Sequence, residues 1–142
     1  MTPSQRNQDS ELAALLAPDI LVMLEESPGD VAAETEELHP KDLADVAEAM
    51  PTDRVAEFLR ALPAARAADV LEYLDEELRS ELLEAMSTEQ AVALVSEMTP
   101  DDRADILEEL EEETADEILQ DLPEAERQET ERLLQYLSLI HI

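Results

Sequence analysis

Seven apolar residues stand twelve apart in this chain: Met50, Leu62, Leu74, Met86, Met98, Leu110 and Leu122. Four positions before each come Val46, Phe58, Val70, Leu82, Leu94, Ile106 and Ile118. Three before come Ala47, Leu59, Leu71, Leu83, Val95, Leu107 and Leu119. With a looser column that begins at Leu43 and Val55, each unit carries apolar residues at i, i+3, i+4 and i+7. That spacing marks one face of a helix, so each unit reads as one short amphipathic helix. A unit of this size leaves about nine helical residues, roughly 13 Å, too little to persist alone in water. The stripe has to be buried against neighbouring units. The expected fold is all-α, a superhelical solenoid of short amphipathic helices with a twelve-residue repeat.

Punctuation falls where such helices should break. Pro40, Pro51, Pro63, Pro100 and Pro123 lie at or beside unit boundaries, where a missing N–H costs least. Ser87-Thr88-Glu89-Gln90 has capping-box spacing, Thr99 before Pro100 suits an N-cap, and His39 before Pro40 reads as a cap. Upstream, two more helices are expected over residues 19–26 and 30–38, separated by Ser27-Pro28-Gly29, with a short helix over 10–16 ended by Pro18. Residues 1–8 read as disordered. Downstream, residues 124–137 should form a longer final helix with Leu133, Leu134 and Leu137 as its stripe. The organisation expected is a flexible or partly helical segment over 1–18, a helical domain over 19–137 and a tail over 138–142.

Charge excludes several functions. Nine basic residues face 38 acidic ones in 142, a formal net charge of −29. Such a chain repels nucleic-acid phosphates and anionic membrane surfaces. Phe58, Tyr73 and Tyr136 are its whole aromatic set, so base-stacking platforms are missing too. No apolar run approaches the roughly 20 residues that span a bilayer, which argues against direct membrane insertion by this segment. The absence of cysteine excludes thiol chemistry, and His39 and His141 do not make a zinc site. With no nucleophile–histidine arrangement and no glycine-rich phosphate loop, the chain does not read as an enzyme.

The repeat also locates the carboxylates. Position 45 recurs as Asp45, Glu57, Asp69, Glu81, Ala93, Asp105 and Glu117, a column about 150° from the centre of the apolar stripe. Asp101 lies four residues before Asp105 on the same outward face. One reading is a solvated surface. The other starts from like-charge repulsion, about 0.2–0.5 kcal/mol per i, i+4 pair, which a hard divalent cation held by one or two carboxylates plus water would relieve. Magnesium suits that ligand set, calcium is compatible but lacks an EF-hand spacing, and the column alone does not choose between the readings.

Ordered motifs then carry a resemblance. Leu38-His39-Pro40-Lys41-Asp42-Leu43-Ala44-Asp45, Leu62-Pro63-Ala64-Ala65-Arg66-Ala67-Ala68-Asp69-Val70-Leu71, Thr99-Pro100-Asp101-Asp102-Arg103-Ala104-Asp105-Ile106-Leu107 and Glu131-Arg132-Leu133-Leu134-Gln135-Tyr136 together resemble the N domain of MgtE-type magnesium transporters over residues 19–136. The resemblance implies a magnesium-sensing regulatory domain on the cytoplasmic side of the cell membrane, part of an integral membrane transporter although itself soluble. It implies CBS domains of the same transporter chain as partners, a homodimer in the full-length protein, and Mg2+ at the acidic interface favouring the closed pore. Its motifs place magnesium ligands on Asp69, Asp101 and Asp105. After Tyr136 the family continues with an acidic stretch and an Ala-Gly-Gly-Leu-Met-like run, whereas this chain has Leu137-Ser138-Leu139-Ile140-His141-Ile142, so a truncated or non-native tail is expected. The alternative is a protein-interaction solenoid related to the middle domain of the flagellar motor switch protein FliG, which Leu38-His39-Pro40 would also suit.

Overall fold

The structure is a computed structural model and describes residues 3–140. Among the described residues ten α-helices follow one another: α1 (Pro3–Glu26), α2 (Val31–Glu34), α3 (Pro40–Glu48), α4 (Thr52–Arg60), α5 (Ala64–Tyr73), α6 (Glu76–Ala85), α7 (Thr88–Val95), α8 (Pro100–Glu109), α9 (Glu112–Asp121) and α10 (Glu124–Ile140). A 3-10 turn, Pro28–Asp30, precedes α2, and no strand occurs among the described residues. From α3 onward the helices begin at Pro40, Thr52, Ala64, Glu76, Thr88, Pro100, Glu112 and Glu124, each twelve after the last. The repeat in the sequence is thus a repeat of helix starts.

Local chemistry sets those limits. At the N-termini, His39 Nδ1 accepts from the Lys41 amide at 3.0 Å, Ser87 Oγ from the Gln90 amide at 3.1 Å, and Thr99 Oγ1 from the Asp102 amide at 3.4 Å. These are the caps expected from sequence. At the C-termini of α5, α8 and α9, the buried residues Leu74, Leu110 and Leu122 turn extended, with ψ of 153°, 163° and 150°. Each therefore ends one helix and plugs the core beside it. No described residue has positive φ, so these helices stop without the left-handed glycine that commonly closes a helix.

The chain divides into two compact units, Met1–Leu78 and Arg79–Ile142. In the first, α1 packs on α3 and α3 on α5, with α4 bridging α3 and α5. In the second, α7 packs on α9 and α8 on α10, with α9 between α8 and α10. Alternate helices stack within each unit, as short helices must if each stripe is to meet another. Every residue of the Val46 column is buried, and so are the Met50 and Ala47 columns except Met86 and Leu119, which are half-buried.

The N-terminal part departs from the sequence reading. In place of a break at Pro18, α1 runs unbroken for 24 residues. Ala13, Ala17, Ile20 and Leu24 are buried on one side and hold the helix together across the proline, while Ala14 and Pro18 are both exposed. The carbonyl deprived of its donor thus lies on the solvent side, where water can serve it. Of the segment expected to be disordered, Met1 and Thr2 lie outside the described residues, and the backbone from Pro3 is helical. The helix expected over 30–38 is instead the 3-10 turn, the four residues of α2, and turns. Thr35 is the reason on one side, its Oγ1 donating to the Val31 carbonyl at 2.8 Å. Arg66 is the reason on the other: its guanidinium donates to the carbonyls of Glu36 (2.9 Å), Thr35 (2.7 Å) and Leu38, which a continued helix would have used. The last helix runs to Ile140, with Leu133, Leu134 and Leu137 half-buried, and the end of the expected tail, residues 141–142, lies outside the described residues.

Candidate metal centre

Asp69 projects from the middle of α5 in the first unit, and Asp101 and Asp105 from α8 in the second. All three are exposed. Each helix buries the opposite face, Ala67, Ala68, Val70 and Leu71 on α5 and Arg103, Ala104, Ile106 and Leu107 on α8, so the register forces these carboxylates outward. Within the wider column, Glu81 and Glu117 are exposed as well, whereas Asp45 and Glu57 are half-buried.

Commitment of side chains separates the acids more sharply than exposure does. Glu57 Oε2 accepts from Arg54 Nε at 2.9 Å and Glu25 Oε1 from Arg54 Nη1 at 3.3 Å. The hydrogen bond to Glu57, helped by the charges of Glu57 and Glu25, raises the Arg54 pKa above its ordinary value. Glu109 holds Arg79 through two contacts, at 2.9 and 2.5 Å, with both side chains largely buried. Glu131 lies 3.8 Å from Arg127 along α10. Glu48 accepts from the Asp75 amide at 3.1 Å and Glu84 from the Glu111 amide at 2.8 Å, the same bond three repeats apart. Asp69, Asp101 and Asp105 make no such pairing among the described residues.

Their chemistry fits a hard cation that keeps much of its water. Asp101 and Asp105 are one turn apart on α8, about 5–6 Å between Cβ atoms, so one hydrated divalent ion can serve both. Asp101 lies in the first turn, where the helix dipole favours negative charge. No group of three His, Cys, Asp or Glu able to hold a metal ion is assembled among the described residues. The three aspartates are thus open, hard-oxygen donors, two of them adjacent, that do not by themselves enclose an ion.

Two core-register cations, Arg103 buried and Arg79 half-buried, escaped the sequence reading. Arg103 is 3% exposed and donates to the carbonyls of Val95 (3.2 Å), Met98 (2.8 Å), Ser96 (3.5 Å) and Glu126 (3.4 Å), and to Thr130 Oγ1 (3.1 Å). Arg79 and Arg103 both stand in the column Leu43, Val55, Ala67, Arg79, Ala91, Arg103 and Ala115. An arginine in an otherwise apolar register was the available sign. Arg79 ties α6 to α8, and Arg103 ties α8 to α10 and to the end of α7, so both hold the helix that presents Asp101 and Asp105.

No helix among the described residues is long and apolar enough to cross a membrane. The sequence profile of the family described as the MgtE intracellular N domain matches residues 38–138. A crystal structure described as the soluble part of a magnesium transporter superposes with a TM-score of 0.74 at 21% identity, over 89% of this chain and 50% of that one. The chain thus spans half the length of that structure. No curated protein sequence matches it.

Proposed function

Because the chain belongs to the family of MgtE intracellular N domains, we propose that it is the magnesium-sensing regulatory domain of a magnesium transporter, lying on the cytosolic side. The observation that carries this reading is the set Asp69, Asp101 and Asp105: exposed, unpaired, and in registers that the fold turns away from the core. Carboxylate oxygens with room for water are the donor set magnesium prefers. Since no three acidic groups come together as a metal-holding set among the described residues, the remaining ligands come from outside this domain, and CBS domains of the same transporter chain are the partner proposed. In the full-length protein, taken to be a homodimer, a bound ion draws the two acidic surfaces together and favours the closed pore. Loss of the ion leaves like charges facing one another and shifts the equilibrium towards separation. An ion acts in this way only if it binds the closed arrangement better than the open one.

The test is thermal unfolding of the chain in MgCl2 and in NaCl matched for ionic strength, taken to tens of millimolar magnesium because the isolated domain supplies only part of each site. The wild-type protein should gain more from magnesium than screening alone provides. Asp69→Asn, Asp101→Asn and Asp105→Asn combined should remove that excess. An excess that survives the triple substitution would overturn the assignment of residues, and the lack of any excess in the wild type would overturn ion sensing by these carboxylates.

A further inference from the structure

The second half of α1 carries large apolar side chains on two opposite sides. Ala13, Ala17, Ile20 and Leu24 are buried, and at 100° per residue they gather on one side of α1. Leu15 and Val22 lie about 180° from the centre of that side and are 71% and 50% exposed, with Leu12, at its edge, 54% exposed. Exposed large apolar side chains grouped along one stretch of a helix mark a surface that a partner covers, and the second half of α1 is buried on its other side alone. Between α1 and α3, moreover, lies a cavity of about 100 Å³ lined by Leu12, Ala13, Leu16, Leu38, Asp42 and Val46. Leu12 belongs to both the cavity and the exposed ridge, so the two form one continuous surface.

Charge selects what can cover it. Asp42 is the one charged residue of the cavity lining and is exposed at its rim. Asp19 lies on α1 between the directions of Leu12 and Leu15, and residues 12–26 contain no Lys or Arg. A second copy, itself of net charge −29, would set its own Asp19 and Asp42 against these, and an anionic membrane would repel the surface likewise. An apolar cavity of about 150 Å³ is known to hold benzene, so the smaller one here suits a single aliphatic side chain. We propose that the α1–α3 groove is the docking site of an amphipathic helical segment of a partner protein, with an aliphatic ridge over Leu12, Leu15 and Val22, one aliphatic side chain in the cavity, and Lys or Arg beside Asp42 and Asp19. This is the helix-in-groove mode of recognition, apolar anchors giving affinity and basic flanks giving orientation. It stands independently of the magnesium reading, since none of its residues is among the three metal candidates.

The probe is a synthetic helical peptide of about fifteen residues, with leucines at i, i+3, i+4 and i+7 and lysines elsewhere, titrated by calorimetry and by amide chemical shifts. The wild-type chain should bind it with shifts centred on Leu12, Leu16, Leu38 and Val46, and should ignore the same peptide with glutamates in place of lysines. Leu15→Ser with Val22→Ser, both at exposed positions that the fold does not need, should weaken binding about tenfold or more. Asp42→Asn should weaken it less and flatten its salt dependence. Equal binding by the double variant would show attraction by charge alone and overturn the proposal. So would concentration-dependent self-association that the double variant abolishes, or binding of wild type to uncharged phosphatidylcholine vesicles.

Discussion

At the scale of single residues, the scarce cations do more for this fold than their number indicates. Arg103 satisfies four carbonyls and a hydroxyl at once, and Arg66 gathers the carbonyls of Thr35, Glu36 and Leu38 where α2 ends. Arg103→Met removes every donor while leaving those carbonyls in place, so it should cost about 3–4 kcal/mol by urea unfolding. Arg103→Lys should still cost about 2 kcal/mol, because an ammonium cannot reproduce the planar fork. Sequence reading missed this because the apolar columns were read for what they share, and an arginine in a core register looks like an irregularity. Asp69, Asp101 and Asp105 were legible as outward-facing from the register alone. Their lack of partners was not, since it depends on which of 38 acids the few arginines reach.

At the scale of helices, starts were more legible than ends. Proline and capping residues announce where a helix begins, and the caps at His39, Ser87 and Thr99 form as their spacing implies. Ser87→Ala should lower stability by about 1 kcal/mol, and Thr99→Ala by less, because its bond is the longer one; denaturant midpoints would rank them. The endings at Leu74, Leu110 and Leu122 carry no special residue, so nothing local marks them. Pro18 shows the opposite failure: a strong local breaker overruled by the burial of Ala13, Ala17, Ile20 and Leu24. Pro18→Ala restores one backbone donor in mid-helix and should stabilise the chain by about 1 kcal/mol or more, read as a rise in the urea midpoint.

For the whole molecule, the all-α class and the short-helix repeat follow from the periodicity, and the family match agrees with the ordered motifs that resembled it. What periodicity does not contain is which helix stacks on which, since every unit offers a similar stripe. The excess of 29 negative charges sets a global condition as well. Stability should rise between about 10 mM and 0.5 M NaCl as the Debye length contracts from roughly 30 Å to a few ångströms, measured by melting temperature. Finally, helix starts spaced evenly from Pro40 to Glu124 make the gene itself tolerant in only one rhythm. Excising or duplicating thirty-six nucleotides between helices removes or adds a complete helix with its turn and leaves the downstream phase intact. A shorter in-frame loss inside a helix breaks the i, i+3, i+4, i+7 stripe of that helix, so whole steps are the length changes such a chain should bear best.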